Sequence, residues 1–80
     1  MNFTVYSKSG CNYCEKIRTV LELAQLTFVE YKLDEHFNKK EFYDQFGEGS
    51  TFPQVTADAS TIGGAVETVK YLQENNLVTL

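Results

Sequence analysis

"SGCNYCEK", residues 9–16, holds both cysteines of this 80-residue chain. Two residues separate Cys11 from Cys14, and Lys8 and Lys16 stand close on either side. Before the stretch, "NFTVY" (2–6) alternates and is rich in strand formers, which predicts a first strand. After it, Ile17, Val20, Leu21 and Ala24 recur at i, i+3, i+4 and i+7, while Glu15, Lys16, Arg18 and Glu22 take the other face. That is an amphipathic helix over Asn12 to Gln25, beginning at or just after Cys11. "TFVEYKL" (27–33) reads as a second strand. The cysteine pair therefore sits where a strand hands over to a helix. The strand–helix–strand order implies parallel strands joined by a right-handed crossover.

Farther along, "HFNKKEFYDQF" (36–46) predicts a helix with Phe42 and Phe46 at i, i+4, ended by Gly47. "PQVTA" (53–57) and "STIG" (60–63) predict two short antiparallel strands joined by a tight turn at Asp58-Ala59. After Gly63-Gly64, "AVETVKYLQEN" (65–75) predicts a last helix with Val66, Val69 and Leu72 inward. No repeat, low-complexity run or Pro/Ser-rich linker interrupts the chain, so residues 1–80 read as a single α/β domain.

The composition is that of an ordinary globular protein, 42% apolar and 22% charged, with five Tyr and six Phe to fill a compact core. Seven Lys and Arg against eleven Asp and Glu give a net charge of −4, and the acids are scattered. Such a surface repels phosphate backbones, which argues against a nucleic-acid partner. The start "MNFTVYSK" has no basic region followed by an apolar run, and no segment reaches membrane-spanning length. The expectation is a monomer in a reducing, cytoplasmic setting with no membrane partner.

Three readings of the cysteine pair compete. As a staple, a disulfide across so short a loop removes only about 2 kcal/mol of unfolded-state freedom, and a reducing compartment would open it. A closed zinc site wants four ligands. The chain offers two cysteines and His36, which has no neighbour at ligand spacing and reads as a solvated residue near a helix start. A metal site shared between chains or with an external thiol stays open. The redox reading uses every feature. An attacking thiolate needs a lowered pKa and access to solvent. The unpaired N–H groups of the helix's opening turn, those of Tyr13 and Cys14 among them, can point at the Cys11 sulfur, and Lys8 can add a positive charge from the loop. An unperturbed thiol is only about 3% ionised at neutral pH, whereas one shifted to about 5.5 is almost wholly ionised. Cys14, one turn into the helix, is more shielded and well placed to resolve a mixed disulfide on Cys11.

Three motifs in order resemble those of the glutaredoxin family, and the resemblance covers nearly the whole chain. "VYSKSGCNYC" (5–14) is similar to the family's first strand and active-site loop, "TFPQV" (51–55) to its Thr-Val-Pro segment, and "IGG" (62–64) to its glycine pair before the last helix. The resemblance implies a thioredoxin fold, a four-stranded mixed sheet of order 2-1-3-4 flanked by three helices. It also implies a glutathione-dependent dithiol reaction with Cys11 as nucleophile and Cys14 as resolving thiol, the two forming the redox-active disulfide. Lys8 and Tyr13 would flank glutathione, the co-substrate. Pro53 would be the family's cis-proline, leaving the Phe52 backbone to pair with the tripeptide. The clients implied are disulfide-bearing proteins, ribonucleotide reductase among them by analogy.

The chain also departs from the pattern. Phe52 stands where valine is usual, and its bulk is expected to reshape the groove. Asn12 replaces a frequent proline, which loosens the active-site turn. "GEGS" (47–50) lacks a basic residue before Thr51. Ala65-Val66 follow the glycines where the family commonly has Cys or Ser and then Asp, with Glu67 only afterwards. Glutathione is therefore expected to bind weakly, through the backbone of Gly64, Ala65 and Val66, at a helix start with no side-chain cap. Three other functions remain: a redoxin recharged by thioredoxin reductase, a redox-inert binding module, and an iron–sulfur carrier. In the carrier, Cys11 of each of two chains and bound glutathione would hold the cluster.

Overall fold

The structure, a computed structural model, describes residues 2–78. Four strands form one sheet: β1 (Phe3–Ser7), β2 (Phe28–Lys32), β3 (Gln54–Ala57) and β4 (Ser60–Gly63). Their order is β2-β1-β3-β4, with β1 and β2 parallel and the pairs β1/β3 and β3/β4 antiparallel. The helices are α1 (Asn12–Leu23), α2 (Lys39–Phe46) and α3 (Ala65–Glu74). This is the thioredoxin fold with the expected strand order.

Strand alternation sorts the two faces of the sheet. Phe3 and Val5 of β1 and Val55 and Ala57 of β3 point to one side. There they form the core with Ile17 and Leu21 of α1 and Leu72 of α3. Tyr6 points to the other side, where its ring meets Tyr31, Phe37 and Phe46 at centroid distances of 5.7, 5.5 and 4.9 Å. Phe42 of α2 is 1% exposed and stacks on Phe52 with centroids 4.1 Å apart and planes 10° apart. So α1 and α3 cover one face, and an aromatic cluster attaches α2 to the other.

Two expectations are corrected. The second helix begins at Lys39, three residues later than the hydrophobic pattern suggests. Asn38 accepts the Glu41 N–H at 2.8 Å while Glu41 accepts the Asn38 N–H at 3.0 Å, a capping box that fixes the start. His36, before it, is exposed and accepts the Lys32 N–H on Nδ1 at 2.9 Å. In α3, Val66 does not point inward; it is 72% exposed. The inward stripe is Ala65, Thr68, Val69 and Leu72, an i, i+3, i+4, i+7 set in which Thr68 and Leu72 are buried and Ala65 and Val69 partly so. Thr68 fits there because its hydroxyl donates to the Gly64 carbonyl at 2.7 Å, so no polar atom is left unpaired.

Candidate functional site

Ser7 ends β1 fully buried, and its hydroxyl donates to Glu30 Oε2 at 2.8 Å. The same oxygen lies 3.3 Å from Arg18 Nη2, so one carboxylate ties the end of β1 to β2 and α1. The chain then turns through Lys8, Ser9 and Gly10, the last with φ +69°, a conformation glycine adopts without penalty. Cys11 caps α1 in extended conformation, and its sulfur accepts the Cys14 N–H at 3.1 Å. A sulfur thus fills the place usually taken by a Ser, Thr, Asp or Asn oxygen. Cys11 and Cys14 are joined as a disulfide. Cys14 is wholly buried and Cys11 9% exposed, less open than the sequence reading expected, but the only one of the pair an attacking group can reach.

The same geometry acts on the reduced form. The α1 N-terminus and the Cys14 N–H favour a thiolate over a thiol on Cys11. At neutral pH Cys11 is expected to alkylate faster than a free thiol, with buried Cys14 reacting slowly. A Cys11 that titrates at the free-thiol value contradicts the assignment.

A depression of about 210 Å³ adjoins the pair, lined by Tyr13, Thr51, Phe52, Pro53, Gly64, Ala65, Val66 and Glu67. The fold therefore gathers six of the seven groove residues named from the sequence, drawn from α1, the loop before β3, and α3. The Phe52–Pro53 peptide is cis. Lys8, the seventh, is exposed, and its ammonium lies over the Phe52 ring, 5.3 Å from the centroid. Phe52 lines the depression, and its ring stacks on Phe42. Tyr13 stays 58% exposed, with the Lys16 ammonium 5.1 Å from its ring centroid.

Glu67 was missed as a structural element of this site. Its carboxylate accepts the Gly64 N–H at 2.9 Å and so occupies one of the backbone donors expected for glutathione. A Cβ on Gly63, whose φ is +131°, would sit 3.0 Å from Glu67 Cβ, so glycine is what lets this turn close over Glu67. The signal was present in the sequence: a glutamate three residues after the cap position is half of a capping box. Glu67→Ala frees the Gly64 N–H and removes an anion from the groove. The KM for a glutathionylated substrate should stay within about twofold or fall, with about 0.3–1 kcal/mol of stability lost at the helix end. A tenfold rise in KM would show instead that Glu67 contacts the tripeptide.

Among the described residues, no group of three or more His, Cys, Asp or Glu side chains is arranged to hold a metal ion. No helix of the described residues is long and apolar enough to cross a membrane.

A Cys-x-x-Cys pair capping the crossover helix of a thioredoxin fold defines a dithiol–disulfide oxidoreductase of that fold class. More particularly, the glutaredoxin family model matches residues 3–62, and the chain belongs to the glutaredoxin family, as a thiol–disulfide oxidoreductase. Glutaredoxin 3 of Escherichia coli (strain K12) is 32% identical over 63 residues, covering 79% of this chain and 76% of that protein. Glutaredoxin 1 from Francisella tularensis, solved in complex with cacodylate, superposes with a TM-score of 0.78 at 28% identity, covering 95% of both chains. A buckwheat glutaredoxin–glutathione complex superposes with a TM-score of 0.73 at 21% identity, covering 94% of this chain and 71% of that one; this last likeness is one of fold.

Proposed function

We propose that this chain is a glutathione-dependent dithiol oxidoreductase that reduces both glutathione mixed disulfides and protein disulfides. The observation that carries the reading is the asymmetry of the pair: Cys11 caps α1 and keeps the only access, and Cys14 is buried beneath it. In the reduced protein, the Cys11 thiolate attacks the glutathione sulfur of a mixed disulfide. The client leaves as a thiolate and takes up a proton. A second glutathione thiolate then attacks the Cys11–glutathione bond, regenerating the Cys11 thiolate and forming glutathione disulfide. The depression beside Cys11 would hold the tripeptide, with the Phe52 backbone along one side and the first turn of α3 at the end.

In this reading the chain acts as a monomer in a reducing, cytoplasmic setting on disulfide-bearing client proteins. The test is steady-state reduction of a small glutathione mixed disulfide with two electron sources. Glutathione with its reductase is expected to sustain turnover, and thioredoxin reductase alone is not. Turnover with thioredoxin reductase alone would assign the chain to the redoxins recharged by that enzyme.

A further inference from the structure

Tyr13, Ala65 and Val66 form a ridge. On one side lies the depression next to Pro53; on the other an open groove of about 940 Å³ runs between α1 and α3. Ile17, Val20, Ala65 and Val69 give that groove an apolar lining. Val66 on the ridge is 72% exposed and Tyr13 58%, so two large apolar side chains stand in water beside the reactive sulfur. Lys16 on α1 and Lys70 on α3 flank the groove, and Glu15 is the one acid among its lining residues. The local balance is therefore positive in a chain whose net charge is −4. Among the described residues no carboxylate pairs with either lysine.

We propose that this groove docks an extended, apolar and acidic segment of a disulfide client, next to the cysteine that client offers to Cys11. The inference rests on the protein-disulfide reading above. Three observations select this occupant. The groove begins at Asn12 and Tyr13, between the two cysteines, so a client joined to Cys11 necessarily lays its flanking chain on an adjoining surface. The depression across the ridge suits a tripeptide and leaves the larger groove for the client. The positive flanks select acids against the charge of the rest of the surface. From Tyr13 to Val20 the groove follows α1 for about 10 Å, the length of three to four extended residues.

The chemistry is that of the dithiol. The Cys11 thiolate attacks one sulfur of the client disulfide, and the other leaves as a thiolate and is protonated. Cys14, losing its proton, attacks the Cys11 sulfur and releases the second client thiol, leaving the enzyme disulfide. Two electrons pass from the enzyme dithiol to the client disulfide.

The test uses synthetic peptides sharing one internal disulfide and differing in a short tail beside it: Leu-Asp-Leu-Glu, Leu-Lys-Leu-Lys or Ser-Asp-Ser-Glu. Reduction by the pre-reduced protein should be about tenfold faster for the first tail than for either other. Lys70→Glu, at an exposed position on α3, should abolish or invert the preference between the first two tails. It should leave reduction of 2-hydroxyethyl disulfide, too small to reach the groove, unchanged. Equal rates for the three tails, or a Lys70→Glu protein that keeps the wild-type preference, would overturn the proposal. So would a dimer in sedimentation that Lys70→Glu dissociates, because the groove would then belong to a second copy. If 2-hydroxyethyl disulfide is reduced and none of the peptides is, the protein-disulfide reading falls, and the docking site with it.

Discussion

Cys11→Ser is expected to abolish both reducing activities, while Cys14→Ser separates them. Removal of a glutathione group needs only an attacking thiolate, because a second glutathione releases the enzyme. Reduction of an intramolecular protein disulfide leaves the client attached to Cys11. The thiol that resolves this link is one turn away in the same short segment, at high effective concentration. In the structure that partner is Cys14, wholly buried and within bonding reach of Cys11 alone. Cys14→Ser should therefore keep most deglutathionylation, lose protein-disulfide reduction and accumulate a covalent client complex visible on a non-reducing gel. For Cys11→Ser, the thiol that remains is one no substrate reaches, so a loss of several orders of magnitude is expected in both assays. Full protein-disulfide reductase activity in Cys14→Ser, or either activity in Cys11→Ser, would refute this division of labour.

Phe42→Ala should be the most damaging substitution outside the thiol pair. The ring is almost wholly buried at the centre of the second aromatic cluster, with Phe37, Tyr43, Phe46 and Phe52 around it at centroid distances of 5.8, 5.6, 5.0 and 4.1 Å. Truncation of a buried phenylalanine costs about 3–5 kcal/mol, against a total stability of roughly 5–15 kcal/mol for a domain. In a domain this small each kcal/mol lowers the melting temperature by about 4–8 °C, so a drop of well over 10 °C is expected in thermal denaturation. Function should suffer in the fraction that stays folded, because Phe42 stacks on Phe52, which lines the depression next to Tyr13. KM for a glutathionylated substrate should therefore rise in Phe42→Ala at a temperature where it is folded, while Phe42→Leu recovers most of both losses. A stability change below about 1 kcal/mol would mean that α2 is held by something other than this cluster.

Much of this architecture was legible because its signals are local. The period of Ile17, Val20 and Leu21 announced α1, the alternation in "NFTVY" announced β1, and Gly47 marked the end of α2. What went astray involved polar atoms whose partners decide their place. Thr68 carries a hydroxyl that is costly to bury alone, and only the Gly64 carbonyl that accepts its hydrogen makes it a core residue. Val66 was taken inward because it is apolar, yet helix geometry set by Ala65, Val69 and Leu72 turns it out to water. The place of Glu67 depends on the turn at Gly63-Gly64, which brings the Gly64 N–H to its carboxylate.

The sequence by itself determined the chemistry. A thiol pair with two residues between, at a strand-to-helix junction, places one sulfur on the helix N-terminus whatever the rest of the chain does, because the capping geometry spans only a few residues. The tertiary structure alone decided what surrounds that sulfur. Tyr13 and Phe52 lie 39 positions apart and Val66 another 14 along, and only the sheet order β2-β1-β3-β4 brings their segments to one end of the sheet. Which side chains then face water, the groove or the core depends on packing among α1, α3 and the aromatic cluster. Those are long-range contacts, and no local period in the sequence encodes them.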